Sequence, residues 1–139
     1  NYFIGLVGDD TLDTIFSCEY TKDSDVGTYV ITPTDCTFTS GVKNNYNIEY
    51  VNGTLSVYGS SYNKASKTVK IYSNHDTDVD CYVVSYAENG TLDGIKKEHC
   101  SLKADEISTI DISSLNIAEN DSIKIFLWDN NLTPVEITN

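Results

Sequence analysis

Short runs of β-branched and aromatic residues recur along this 139-residue chain and are separated by turn residues. Such runs are typical of strands, and the second half shows no helical periodicity long enough to predict a sustained helix. There the runs follow one another at the even spacing expected of an antiparallel β-sandwich. They are Thr68–Tyr72, Val79–Ala87, Leu92–Leu102, Ile107–Ile112, Ser122–Trp128 and Val135–Ile137. The chain is therefore predicted to be mainly β.

A hairpin is predicted over Tyr46–Tyr58, because Asn52-Gly53 fits a two-residue type I′ turn. Pairing across this turn places Tyr50 opposite Leu55 and makes one face of the hairpin wholly apolar. The other face is mostly polar, as a half-buried hairpin requires.

Two more elements are predicted in the first part of the chain. Residues 9–16 are expected to form a short helix, because Asp9 or Asp10 can cap it and the apolar side chains lie at helical spacing. Residues 27–32 are expected to form a strand that Pro33 ends.

Ser122–Trp128 is apolar on both faces, with Phe126 and Trp128 on one side and three aliphatic residues on the other. A strand of this kind is typical of the centre of a sandwich. Trp128 is therefore expected to pack inside it.

Two modules are predicted because Gly59–Ser66 lacks periodicity and is expected to be a linker. Residues 1–58 are expected to form a small sheet with one short helix, either β-grasp-like or a partial sandwich. Residues 67–139 are expected to form the antiparallel sandwich. Bodies of this size bury only about 60% of their unfolded surface, so additional stabilisation is expected within or between them.

The formal charge of −12 is divided evenly, with two lysines and eight acidic residues in 1–58 and seven lysines and thirteen acidic residues in 59–139. No basic stripe exists, so nucleic acid is not expected as a partner. Apolar runs are too short for a membrane span or a signal-peptide core, so no membrane insertion is expected. Because the chain begins at Asn1 rather than Met, it is expected to be a piece of a longer protein.

The four cysteines divide into Cys18 and Cys36 in the first part and Cys81 and Cys100 in the second. Three disulfide connectivities are possible. A four-residue loop at Asn89–Leu92 would set Cys81 opposite Cys100. A disulfide between them would close a loop of about 19 residues and contribute about 3 kcal/mol through chain entropy. The predicted structural disulfides are therefore Cys81–Cys100 and Cys18–Cys36, with four buried thiols as the alternative.

No catalytic site, metal site or cofactor is predicted. His75 and His99 lie in none of the spacings used for metal binding or general base catalysis. The acidic run Asp76–Asp80 alternates oxygen ligands, but Cys81 and Ala87 occupy the positions where an EF-hand needs Gly and Glu. This run is expected to be a solvated loop that protects a sheet edge, and a looser calcium site stays open.

The binding residues stay unknown at this point. Tyrosines are concentrated in the first part, where exposed rings would stack on sugars, although tyrosine serves equally as strand filler. An intramolecular Lys–Asn isopeptide crosslink is another open possibility, with no pair identified.

Three segments in order, Gly5–Leu12, Val26–Thr32 and Asn45–Val57, resemble the MBG-type repeat. That family consists of repeated extracellular modules of large bacterial surface proteins and adhesins, and is named for mucin-binding glycoproteins. The resemblance covers about residues 1–58. The usual opening strand before Gly5 is absent, so the module is expected to be truncated at its start or completed by other strands.

The second part resembles the immunoglobulin-like tail modules of secreted bacterial enzymes and surface proteins, through Val83–Leu92, Ile123–Asp129 and Leu132–Pro134. The first resemblance implies an MBG-type module and the second an immunoglobulin-like module. Each implies an extracellular module that is not an enzyme.

The expected function is a non-catalytic spacer or adhesion segment of a multimodular bacterial surface or secreted protein. Its expected partners are neighbouring modules of the same chain and a host or plant glycan or mucin. The alternatives are a glycan- or mucin-binding adhesin module, or an accessory module of a carbohydrate-active enzyme.

Overall fold

The computed structural model describes residues 3–138 and confirms the mainly β fold. Its described part contains nine strands in three three-stranded sheets, and one 3-10 turn at Lys43–Asn45. The strands are β1 (Thr11–Cys18), β2 (Gly27–Ser40), β3 (Gly53–Val57), β4 (Gly59–Asn63), β5 (Thr68–Tyr72), β6 (Thr77–Tyr86), β7 (Leu92–Leu102), β8 (Ile107–Asp111) and β9 (Ser122–Trp128).

The chain divides into two compact units. The first consists of residues 1–22 and 28–55, and the second of residues 23–27 and 56–139. Sheet β1-β2-β3 belongs to the first unit apart from Gly27 of β2 and Ser56 and Val57 of β3, and sheets β4-β5-β8 and β7-β6-β9 belong to the second.

The predicted helix over residues 9–16 is wrong, because strand β1 occupies Thr11–Cys18. Every residue of β1 is paired antiparallel with β2, and Leu12 lies opposite Phe38. The β-branched and aromatic residues of this stretch favour a strand once a long partner is present. Three apolar residues at helical spacing are too few to outweigh a continuous ladder of backbone hydrogen bonds.

The predicted strand end at Pro33 is also wrong, since β2 continues to Ser40. The register between β1 and β2 shifts at this point, where Phe16 pairs with Pro33 and Ile15 pairs with Asp35. Thr34 is thus left over on β2. A bulge of this kind accommodates a proline inside a strand, because the ladder is already interrupted there.

The predicted hairpin over Tyr46–Tyr58 does not form. Only Gly53–Val57 is a strand, and its neighbour in the sheet is β2 rather than residues 46–52. Gly53 also lacks the positive φ that a type I′ turn requires. Residues 46–52 pack on β2 instead, with the Tyr46 ring centroid 5.0 Å from that of Phe38.

Two sheets of the second unit share one core. The buried side chains come from β5, β6, β7 and β8 and from the segments after β8 and after β9. They are Val69, Ile71, Val79, Cys81, Val83, Cys100, Leu102, Ile110, Ile112, Leu115 and Ile137. The predicted strands at 68–72, 92–102 and 122–128 have the observed bounds of β5, β7 and β9. The predicted strand Val135–Ile137 is irregular, although the Val135 N–H donates to the Leu127 carbonyl.

The segment predicted as a linker, residues 59–66, begins with a strand. Gly59–Asn63 forms β4, which pairs antiparallel with the whole of β5. Alternation is hard to recognise in Gly-Ser-Ser-Tyr-Asn because only Tyr62 is large and apolar. The pairing with β5, which is not visible in the segment itself, makes it a strand.

Strand β9 lies at the edge of its sheet and not at the centre, which β6 occupies. Ile123, Ile125 and Leu127 pack against the core as their spacing suggests. Phe126 and Trp128 lie on the opposite, outer face, so the prediction that Trp128 packs inside the sandwich is wrong.

The structure contains neither predicted disulfide, and all four cysteines are thiols. Cys81 lies opposite Glu98, and Cys100 lies opposite Val79, two residues away from the predicted register. The cause is a tighter turn than expected, in which the Ala87 N–H donates to the Thr91 carbonyl. A shortened turn with a bulge displaces every pair along the ladder.

The first-unit cysteines are separated further. Cys18 pairs with Ile31, whereas Cys36 pairs with Thr14, four residues along the same strand as Cys18. Four residues of extended chain span about 13 Å, well beyond the distance over which a disulfide forms.

Thiol reactivity is expected to differ between these cysteines. Cys18 is exposed, whereas burial raises the pKa of Cys81 to about 12 and also raises the pKa of Cys100. Because the thiolate is the nucleophile, iodoacetamide near neutral pH is expected to alkylate Cys18 quickly and Cys81 only after unfolding. Intact-mass analysis over time measures this. Denatured, non-reduced protein is the control and should take up four groups. A bridged pair, seen as two unmodified cysteines in that control, would contradict the expectation.

Candidate functional site

An open groove of about 560 Å³ lies in the first unit. Its lining combines tyrosine rings with hydrogen-bonding side chains from β2 and from the segment between β2 and β3. The lining residues are Thr34, Asp35, Lys43, Asn44, Tyr46, Ile48 and Tyr50. The groove therefore lies on the stretch that was predicted to be half of a hairpin.

Tyr46 is fixed at the groove by a hydrogen-bond chain. Its hydroxyl donates to Asp10 Oδ2 at 2.5 Å and accepts the Val7 backbone N–H at 3.2 Å. The Asp10 carboxylate raises the pKa of Tyr46, because it accepts the proton that ionisation would remove. Tyr46 is thus held in one position as a neutral phenol.

Asp35 and Lys43, which both line the groove, form an ion pair. Lys43 Nζ lies 2.8 Å from Asp35 Oδ1 and also donates to the Cys36 carbonyl at 3.1 Å. The lysine lowers the pKa of Asp35, and the carboxylate raises the pKa of Lys43. Both side chains are about half exposed, so the pair contributes little to stability but presents donors and acceptors to solvent.

Tyr50 is 40% exposed, and its hydroxyl donates to the buried Cys36 thiol at 3.4 Å. This hydrogen bond raises the pKa of Tyr50. The hydroxyl is held against β2 while part of the ring faces solvent. Sequence reasoning placed Tyr50 on a buried hairpin face, and the structure corrects that position.

Rings beside paired donors and acceptors suit a ligand that offers both apolar faces and hydroxyl groups. A sugar has that chemistry, since its C–H faces stack on aromatic rings and its hydroxyls bond to carboxylate, ammonium and amide groups. Lys43, Asp35 and Asn44 would supply these groups. The groove therefore presents tyrosine rings, an ion pair and an amide side by side.

In the second unit, the side chains that sequence analysis considered for metal or acid–base chemistry form separate pairs. The predicted loop over Asp76–Asp80 is wrong, because Thr77–Asp80 belong to strand β6. Asp76 binds Lys103 Nζ at 2.7 Å and the Ala104 N–H at 2.9 Å. His99 Nδ1 lies 3.0 Å from Asp80 Oδ1, and Lys97 Nζ lies 2.7 Å from the other oxygen of that carboxylate. Across residues 3–138, no three His, Cys, Asp or Glu side chains are grouped to hold a metal ion.

Sequence reasoning identified Tyr46 and Tyr50 as members of a tyrosine-rich region and of the predicted hairpin, and it missed Asp35 and Lys43. These two lie eight residues apart, on a strand and on the turn that follows it. A carboxylate on β2 followed by a lysine at a turn is too common a pattern to predict an ion pair. The pairing becomes visible only when the chain reverses after Ser40.

A family model described as "MBG domain (YGX type)" covers the first unit. Residues 2–56 match this MBG family. The match includes residues 23–27, which cluster with the second unit, and it confirms the MBG-type resemblance seen in the sequence. No curated protein and no solved structure is similar enough to the chain to count as a match.

The MBG match indicates the general class of protein in which such a segment is found. MBG domains occur in bacterial surface proteins and form a non-catalytic repeat family. The groove residues 34–50 lie entirely within the matched segment. Among residues 3–138, no helix is long and apolar enough to cross a membrane.

Proposed function

We propose that this chain is a non-catalytic extracellular segment of a multimodular bacterial surface protein, in which it acts as a spacer and adhesion module. The MBG match over residues 2–56 carries the proposal. The two compact β units and the evenly distributed acidic charge support it, because such modules expose large surfaces to water outside the cell.

Surface location is tested by labelling intact cells of the producing bacterium with an antibody raised against this chain. Labelling without permeabilisation is expected. An antibody to a cytoplasmic protein is the control for cell integrity. Labelling that appears only after permeabilisation would contradict the proposal.

A second candidate function is recognition of neutral glycan chains, such as those of mucin, by the groove. The favouring observation is the juxtaposition of Tyr46 and Tyr50 with the Asp35–Lys43 pair in one open groove. The partly exposed Tyr50 ring offers a stacking surface, and the ion pair offers both a donor and an acceptor to sugar hydroxyls.

Titration of the chain with neutral mucin oligosaccharides and plant polysaccharide fragments, followed by amide NMR shifts, tests this second candidate. Shifts are expected at residues 34–50, and Tyr50→Ala is expected to weaken binding about tenfold, as loss of a stacked ring does. Val30→Thr, which changes an exposed side chain outside the groove, is the matched control. Absence of any millimolar binding would contradict a glycan site and leave the spacer function standing.

A further inference from the structure

The outer face of sheet β7-β6-β9 carries an unusual set of side chains. Residues directly opposite each other in an antiparallel sheet project to the same side, so the register defines this face row by row. The rows across β7, β6 and β9 are His99–Asp80–Trp128, Lys97–Tyr82–Phe126, Ile95–Val84–Lys124 and Leu92–Tyr86–Ser122. We call these twelve residues the aromatic face.

Three aromatic rings lie together on the aromatic face, and a fourth, that of Tyr86, lies on the same face. The Trp128 ring centroid is 5.1 Å from that of Tyr82 and 5.4 Å from that of Phe126. All three rings are partly exposed, and Ile95 and Leu92 beside them are 55% and 52% exposed. An antiparallel sheet usually turns polar side chains to water on its outer face. A contiguous exposed apolar patch instead is a mark of an interaction site.

The other sheet of the same unit provides a comparison. Its outer face carries Lys70, which lies 2.8 Å from Asp25 of the segment 23–27. Asn63 and Ser61 of β4 also donate to that carboxylate. The part of this outer face around Lys70 is therefore polar and covered by a segment of its own unit, while Tyr72 and Ile107 lie on the next row of the same face. The aromatic face differs from the part around Lys70, because its aromatic rings are partly exposed and Ile95 and Leu92 are exposed.

Cations lie over the rings of the aromatic face. Lys97 Nζ is 5.4 Å from the Tyr82 ring centroid, and Lys124 Nζ is 5.3 Å from that of Tyr86. Lys97 also pairs with Asp80, whereas Lys124 makes no ion pair with any carboxylate in the described part of the chain. Although the net charge of the chain is −12, the exposed Lys124 ammonium therefore has no carboxylate partner among residues 3–138 and lies beside partly exposed aromatic rings.

We propose that the aromatic face binds a saccharide that ends in a carboxylate-bearing sugar. The partly exposed rings stack on the C–H faces of the sugar, and the Lys124 ammonium binds the carboxylate. Charge complementarity selects this ligand, since one unpaired cation matches one acid group. A polyanion such as single-stranded nucleic acid would be repelled by the surrounding negative charge.

The proposal concerns the second unit alone and is independent of the groove. A neutral glycan at the groove and an acidic sugar at the aromatic face would perturb different residues. Each of the two proposed sites can therefore be supported or refuted without affecting the other.

The test is an amide NMR titration with sialyllactose and with the methyl glycoside of glucuronic acid. Their uncharged parents, lactose and methyl glucoside, serve as ligand controls. Shifts are expected at Tyr82, Phe126 and the Trp128 indole N–H. The acidic ligands are expected to bind about tenfold more tightly than their parents, as a charge-assisted hydrogen bond allows.

The variant Lys124→Ala is expected to remove this tenfold preference, and Lys124→Arg is expected to keep it. Lys64→Ala removes the same charge from the β4–β5 turn and is expected to leave the preference intact. Lys124 is exposed, so these variants are expected to fold. A Trp128→Ala variant that still folds, as its dispersed spectrum would show, is expected to lose binding altogether.

Three results would overturn the proposal. One is the absence of shifts at the aromatic face with either acidic ligand. Another is an equal loss of the preference in Lys64→Ala and Lys124→Ala. The third is tighter binding of a single-stranded oligonucleotide than of the acidic sugars, which would make the face a nucleic-acid surface.

Discussion

Replacing Ile71 by alanine is expected to lower the free energy of unfolding of the second unit by about 2–5 kcal/mol. Ile71 lies on the central strand β5 of its sheet and is completely buried in the shared core. Truncation removes apolar surface from the core and leaves a cavity that the two sheets cannot close without moving. Urea unfolding followed by Trp128 fluorescence measures the loss, because Trp128 belongs to the same unit.

Ile107→Ala is the matched control. Ile107 lies opposite Tyr72 on the adjacent strand β8 and is 48% exposed. The same truncation there is expected to cost about 1 kcal/mol or less, because little apolar surface is buried. Equal losses in the two variants would contradict the described core.

Replacing Gly41 by alanine is expected to destabilise the first unit by about 2–4 kcal/mol. Gly41 has a φ of +91°, a conformation that side chains rarely adopt. A Cβ built on it would overlap the Asp10 carboxyl group. That carboxylate holds Tyr46 at the groove, so the substitution is also expected to disturb the groove. Amide hydrogen exchange at Ile31 and Cys36 reports the first unit, and exchange at Val83 reports the second.

Gly8→Ala separates backbone strain from overlap. Gly8 also has a positive φ, +62°, but a Cβ there would meet nothing within 4 Å. Its cost is expected to be about 1–2 kcal/mol, from the left-handed conformation alone. If Gly41→Ala were no more disruptive than Gly8→Ala, the contact between Asp10 and Gly41 would be refuted.

Most of the second unit could be predicted from local sequence. The strands at 68–72, 92–102 and 122–128 alternate or cluster apolar residues strongly enough to show their bounds without a partner. In the second unit, the predicted positions of side chains were wrong where they depended on a neighbouring strand or turn. A tighter turn after β6 moved Cys81 away from Cys100, and the position of β9 at an edge turned Trp128 outward.

In the first unit, pairing between strands outweighed the local sequence signals. Residues 9–16 carry a weak helical spacing, and Asn52-Gly53 carries a strong turn signal, yet β2 overrides both. A fourteen-residue strand offers backbone pairing to both β1 and β3, and no local preference of a few residues matches that gain. The MBG resemblance could still be recognised in this unit, because it depends on the identity and order of residues along the chain and not on which strands pair.

The runs of β-branched and aromatic residues by themselves determined that this protein is mainly β, and the ordered MBG motifs indicated the family whose model matches residues 2–56. Tertiary structure alone decided which strands pair, and therefore which side chains meet. Tyr50 reaches Cys36, Lys43 reaches Asp35, and Lys124 reaches the Tyr86 ring through contacts between different strands or turns. Alternation states which residues share a face of one strand, whereas strand order and register decide whether that face meets a core or water.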